Sequence, residues 1–160
     1  MKSIRSLLVI VTVSLVSACA APRYTGTQIS NDIINEKPEV VIVEDAATKQ
    51  SFLNTIKKWL AKNGYNYKVA KDGSSHNLEK LTIEYVGHWK WDLALYLSKA
   101  KIEAFHQGQR IAEVEDKAPN SFNTNKFSHA EGRIEYMLEV LFGKISSADA
   151  TEAIKPSKQE

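Results

Sequence analysis

Glu84, His88 and Asp92 are the residues of this chain best placed to do chemistry together. They recur at every fourth position, so in an extended strand all three leave the same face. Two carboxylates and an imidazole are the donor types that hold a divalent metal or work as an acid–base pair. The competing reading is a wetted sheet face with ordinary charges, and the rest of the sequence favours it. The four histidines are His76, His88, His106 and His129. None has a partner ligand four residues away on a clear helix face, and no HExxH occurs. Ser74-Ser75-His76 joins a hydroxyl to a base, but beside Gly73 and without GxSxG surroundings it reads as a turn. No GxGxxG or P-loop sequence is present. No catalytic residue, metal or other cofactor is therefore expected, and a metal-dependent hydrolase is the weaker alternative.

Trp89 and Trp91 stand two residues apart, with Tyr96 nearby. Paired indoles on one side of a hairpin form a platform for a sugar, a peptide or a partner protein. Yet their parity matches Leu81, Ile83 and Tyr85, the half-buried positions of the same strand. Parity therefore assigns both indoles to the core side, and ligand binding through Trp89, Trp91 and Tyr96 is the alternative.

The elements that position these residues follow from periodicity. Val40-Val41-Ile42-Val43 is a short β-branched run, the pattern of a buried strand. Asp45 is placed to cap a helix whose apolar stripe is Phe52, Leu53, Ile56, Trp59 and Leu60, stopped by Gly64. Tyr65 to Val69 alternates as a second strand, and Lys71 to Ser75 is a loop. Leu81, Ile83 and Tyr85 begin a third strand, with Trp89 to Asp92 at the apex or shoulders of a hairpin. Leu93, Leu95 and Leu97 share one parity, while Ala100, Ile102 and Ala104 share the other. One strand cannot keep both sets on one face unless a β-bulge near Ser98-Lys99, or a break, shifts the register. Gln107-Gly108 closes the next hairpin, and Ile111 to Asp116 forms the last strand. After a loop from Lys117 to Asn125, Ser128-His129-Ala130-Glu131 fits a capping box. Ile134, Met137, Leu138 and Leu141 then mark a helix ended by Gly143.

The order β-α-β-β-β-β-α predicts an α+β, two-layer sandwich over residues 39–145. Its sheet is mostly antiparallel, with both helices on one face. The strands flanking the first helix would pair in parallel through a right-handed crossover. An open sheet leaves edges able to accept an extended segment.

The amino end carries a different kind of chemistry. Lys2 and Arg5 precede an apolar run from Leu7 to Val16, then Ser17, Ala18 and Cys19. This is a signal-peptide pattern, and a run of about 10 apolar residues is half of the roughly 20 a spanning helix needs. Val16-Ser17-Ala18-Cys19 resembles the lipobox of bacterial lipoproteins. That resemblance implies diacylglyceryl transfer to the Cys19 thiol, cleavage before it, and acylation of the new amino group. Several acyl chains hold a membrane stably where one does not. Ala20 at the next position is similar to cargo of the outer membrane, where an aspartate would favour the outer leaflet of the inner membrane.

Removing residues 1–18 takes away Lys2 and Arg5, leaving 19 basic residues against 19 acidic. A neutral mature chain with no basic arm excludes nucleic acid as the expected partner. Cys19 is the sole cysteine, so disulfides and cysteine-metal sites are excluded. Residues 19–38, with Pro22, Gly26 and Pro38, read as a flexible tether, and residues 146–160 as a disordered tail.

The stretch Trp89-Lys90-Trp91-Asp92-Leu93-Ala94-Leu95-Tyr96, with Val41 to Asp45 and Gly64-Tyr65, resembles a family of small lipoproteins of Gram-negative bacteria. The resemblance implies an outer-membrane lipoprotein with an α+β domain and brings no activity with it. The architecture is similar to small envelope-assembly lipoproteins, such as the partner of the lipopolysaccharide translocon, as a likeness of fold alone. The expectation is a periplasm-facing, non-enzymatic interaction module with an envelope protein or polymer as partner.

Overall fold

A computed structural model describes residues 23–119 and 129–155. Cys19 with the signal pattern, residues 120–128 and residues 156–160 lie outside the described residues. The chain is α+β. Six strands form one mostly antiparallel open sheet: β1 (Tyr24–Thr27), β2 (Val40–Val43), β3 (Tyr67–Ala70), β4 (Leu81–Asp92), β5 (Ala94–His106) and β6 (Gln109–Lys117). Four helices accompany it among the described residues: α1 (Asn31–Asn35), α2 (Gln50–Lys62), α3 (Ala130–Leu141) and α4 (Ser147–Ala153). The spatial order is β1-β6-β5-β4-β2-β3. β2 pairs in parallel with both β3 and β4, and every other pairing is antiparallel.

Register explains the core. Tyr24, Asp116, Ala100 and Gly87 form one row across β1, β6, β5 and β4; Gly26, Val114, Ile102 and Tyr85 form the next. Residues opposite one another share a face, and this is the face the helices cover. Phe52 of α2 stacks on Tyr85 at 4.9 Å between ring centroids. Arg133 of α3 reaches Asp116. Trp59 locks the two helices together by donating its indole N–H to Glu139 Oε1 at 2.8 Å, with its ring 4.8 Å from Phe142. Phe52, Ile56, Leu60, Ile83, Ile102, Ile134 and Leu138 are fully buried in the single core.

The parity conflict in β5 is resolved by a bulge. His88 pairs with Lys99 and Trp89 with Leu97, so Ser98 is the extra residue. Its hydroxyl donates to the His88 carbonyl at 2.8 Å, and its own carbonyl accepts from the Ala118 N–H at 3.0 Å. The two carbonyls at the bulge, of His88 and Ser98, thus each have a donor. Gln107 and Gly108, both at positive φ, close the β5–β6 hairpin as the right-handed strand twist requires.

Three expectations need correction, and a fourth falls partly outside the described residues. The segment read as a flexible tether contributes β1, paired with β6 from Tyr24 to Thr27. It escapes the alternation test because only Tyr24 points inward with an apolar side chain; the next inward position is Gly26. The supposed tail contains α4, capped by Ser146, whose hydroxyl accepts the Asp149 N–H at 3.1 Å. Ala150 is its one buried residue, too few to make a visible stripe. Asp45 does not cap α2, which begins after Lys49 with no side-chain cap. Asp45 instead builds the preceding turn, accepting the Ala47 N–H at 3.0 Å and the Thr48 hydroxyl at 2.6 Å. The first residue of the expected capping box lies outside the described segments, and His129 stands at the start of α3 without a side-chain cap.

Candidate functional site

Glu84, His88 and Asp92 do lie along β4, but they do not converge. Neighbours four apart in an extended strand are separated by about 13 Å, too far to share a metal ion. Glu84 is engaged by His76, whose Nε2 is 2.8 Å from Glu84 Oε1. His88 stands opposite Lys99, and Asp92 opposite Ala94. Among the described residues no group of three or more His, Cys, Asp or Glu side chains is arranged to hold a metal ion. Ser74 and Ser75 belong to the β3–β4 loop; the histidine after them is taken up by Glu84 and by the Phe105 ring, 3.9 Å away.

The sheet face away from the helices is laced with opposite charges. Arg110 bridges Glu103 at 2.7 Å and Glu113 at 2.8 Å; Lys99 and Lys117 both reach Glu115 at 3.4 Å. Burial works against ionisation of Glu103, but Arg110 and Lys101 hold its pKa below the ordinary carboxylate value. Exposed mixed pairs of this kind each contribute little to stability. A shallow, open depression of about 390 Å³ between Gly26–Gln28 and Val140–Ser147 carries no ionisable side chain among its lining residues.

The distinctive surface is where β4 and β5 leave the sheet. β6 ends at Lys117, level with Lys99, and β2 ends at Val43, level with Glu84. Beyond those points β4 and β5 pair, among the described strands, only with each other, as a two-stranded ribbon. Length requires this. A 12-residue strand spans about 40 Å, whereas the 13-residue α2 spans about 20 Å. The helices therefore cover only part of the hairpin.

The base of the ribbon is fixed by packing and one buried hydroxyl. A side chain at Gly87 would meet Phe52 at 3.0 Å and Leu97 at 3.3 Å, so the bare backbone lets α2 sit close. The Gly87 N–H donates to Thr48 Oγ1 at 2.8 Å. Replacing Thr48 by valine strands that buried N–H and is expected to cost about 1–3 kcal/mol in urea unfolding, with serine restoring most of it.

Moving outward, Leu97 is buried and its partner Trp89 is half-buried, with the Lys49 ammonium 4.8 Å from the indole centroid. The Trp89 N–H is buried and meets no acceptor among the described residues. The next pair on that face, Trp91 and Leu95, is 73% and 50% exposed, and Leu93 at the turn is 86% exposed. Leu93 holds φ at +59°, a left-handed value uncommon for a branched side chain and tolerated here at a tight apex. Trp91 is thus not core, contrary to the reading from parity. Its parity is right, but the helix layer ends before reaching it. Tyr96 pairs with Lys90 and so occupies the alternate face; Trp89, Trp91 and Tyr96 do not form one platform. Leu93 and Leu95, not singled out from sequence, belong to the exposed apolar tip with Trp91.

A buried charge cluster lies level with the ribbon base. Asp116 accepts from Arg23 Nε at 2.9 Å and Arg133 Nε at 2.8 Å, and Arg133 also donates to Asp116 through Nη2 and to the Leu97 carbonyl. Arg133 and Asp116 are fully buried. Burial lowers the Arg133 pKa, against the pull of Asp116. The Tyr24 phenol beside them is pushed well up, by burial first and then by Asp116. Through these contacts the cluster ties β1 and β6 to α3.

No helix among the described residues is long and apolar enough to cross a membrane. In comparisons with known proteins, no protein-family model, no curated protein and no solved structure matches this chain.

Proposed function

We propose that this chain is a lipoprotein, anchored by an acylated Cys19, whose α+β domain faces the periplasm as a non-enzymatic interaction module. The exposed apolar tip formed by Trp91, Leu93 and Leu95 carries the reading. Apolar side chains grouped at the end of a projecting ribbon leave half or more of their surface in water, and such patches mark contact surfaces. The dispersal of Glu84, His88 and Asp92 supports a binding role over metal-dependent hydrolysis. The signal pattern ending in Ala18-Cys19 supports the anchor, and Ala20 supports the outer membrane as its destination. A small-ligand or glycan reading draws on Trp91 alone, since the Trp89 ring is half-buried under Lys49.

The anchor is tested by Cys19→Ser. The variant is expected to accumulate as uncleaved precursor or to leave the membrane fraction, read by mass and by fractionation of the envelope. A variant that is processed and membrane-held like the parent chain would sink the lipoprotein reading. Saccharide binding is tested by tryptophan emission on adding peptidoglycan fragments. The interaction-module reading expects no response, and a saturable shift abolished by Trp91→Ala would favour the glycan reading instead.

A further inference from the structure

We infer that the ribbon tip seats in the surface of the bilayer to which the chain is anchored, with Trp91, Leu93 and Leu95 at the headgroup–acyl boundary. This rests on the reading of Cys19 as lipidated. The argument is one of direction and length. β1 is antiparallel to β6, β6 to β5, so β1 runs parallel to β5. β5 runs away from the tip, and β1 therefore enters the sheet from the tip end. The Lys117 N–H donates to the Arg23 carbonyl, and Lys117 is level with Lys99 and His88. Arg23 is thereby pinned level with His88.

From that level, Leu93 lies five positions further along β4, about 16 Å out. Cys19 lies four positions before Arg23, and a fully extended chain of that length reaches about 14 Å. The anchor cannot extend beyond the tip along the sheet axis. With the sheet axis upright on the membrane, the acyl chains reach lipid only when the ribbon points at it, and no folded partner then fits between tip and lipid.

The tip has the composition such a position requires. Tryptophan and leucine suit the boundary between headgroups and acyl chains, and Lys49 and Lys90 flank them on long stems whose ammonium groups can stay in water. The tip is a tight two-stranded turn whose apolar side chains stand in water. The mature chain is formally neutral, so the contact is apolar rather than a response to anionic lipid.

With Cys19 acylated, Leu93→Cys introduces a unique reactive thiol, and Gln109→Cys places one at the opposite end of the sheet. Each variant is labelled with an environment-sensitive fluorophore. The mature lipoprotein is reconstituted in vesicles of phosphatidylethanolamine and phosphatidylglycerol containing shallow spin-labelled lipid. The expected result is a blue-shifted emission at position 93 with several-fold stronger quenching than at 109. Equal, water-like emission at both positions in vesicle-bound protein would overturn the proposal. So would shielding of position 93 without vesicles that grows with protein concentration, since that marks a second copy on the tip.

The anchor is read separately, from the mass of the amino-terminal peptide. If that peptide carries no acyl chains, the anchor reading fails by itself. The labelled chain from Ala20, held to nickel-chelating vesicles through an amino-terminal histidine tag, then decides the tip independently. Lipid quenching at 93 in that format supports the insertion, and its absence overturns it.

Discussion

Asp116→Ala is expected to destabilise the domain by about 3–5 kcal/mol, the usual consequence of removing one partner from a buried ion pair. The carboxylate accepts from two arginines, Arg23 and Arg133, and itself has no exposed surface. Alanine leaves both guanidinium groups facing each other in a region already closed to solvent. One of them, Arg23 Nη2, is buried without a partner among the described residues even in the parent chain. Asp116→Asn keeps an acceptor oxygen but not the charge, and is expected to fall between. Arg133→Met should cost less than Asp116→Ala, because it removes one buried cation and leaves Asp116 paired with Arg23. Urea unfolding of the three variants checks the ranking; Asp116→Ala with parent-like stability would mean that the cluster contributes nothing.

Gly26→Ala is expected to detach β1, at a cost of about 2–4 kcal/mol from backbone strain and the lost burial of Tyr24. Gly26 holds φ at +139°, a region closed to other residues, and an added Cβ would stand 2.0 Å from the Glu113 carbonyl oxygen and 2.8 Å from Val114 Cα. Both are backbone atoms of the partner strand, so no side chain can turn aside. Opening the pairing also withdraws Arg23 from Asp116. Hydrogen exchange reads the result, as faster exchange of the β6 amides that face β1. A parent-like exchange pattern would refute it. The same substitution lengthens the free chain between Cys19 and the sheet, so a fluorophore at position 93 should lose its lipid shielding while the protein stays membrane-bound.

The central elements were legible because their apolar residues are dense and periodic. Phe52, Ile56, Trp59 and Leu60 permit only one helix face, and the opposing parities of Leu97 and Ala100 required a register shift where Ser98 supplies one. β1 was illegible because four residues with one inward apolar side chain carry no period. Asp116 shares parity with Ala112 and Val114, which was a signal of burial, but its partners are 93 positions before it and 17 after. Charges read singly look like surface. Trp91 shows a different limit: alternation reports the side of a sheet and not whether anything covers it. Comparing strand and helix lengths would have separated it from Ile83, since the hairpin outruns α2 by about half its length.

The direction in which β1 enters the sheet also governs how the domain bears load. With Cys19 lipidated as proposed, a force between membrane and domain would arrive through Arg23, at the amino end of β1. The four pairs between β1 and β6 have their hydrogen bonds across that axis. A pull toward the membrane therefore stresses all four together, sliding one strand past the other, instead of peeling them apart in turn. The Arg23–Asp116 pair stands at the loaded end of that joint and takes the first strain. Under that proposal the short strand at the edge of the sheet would be the mechanical link between lipid and fold.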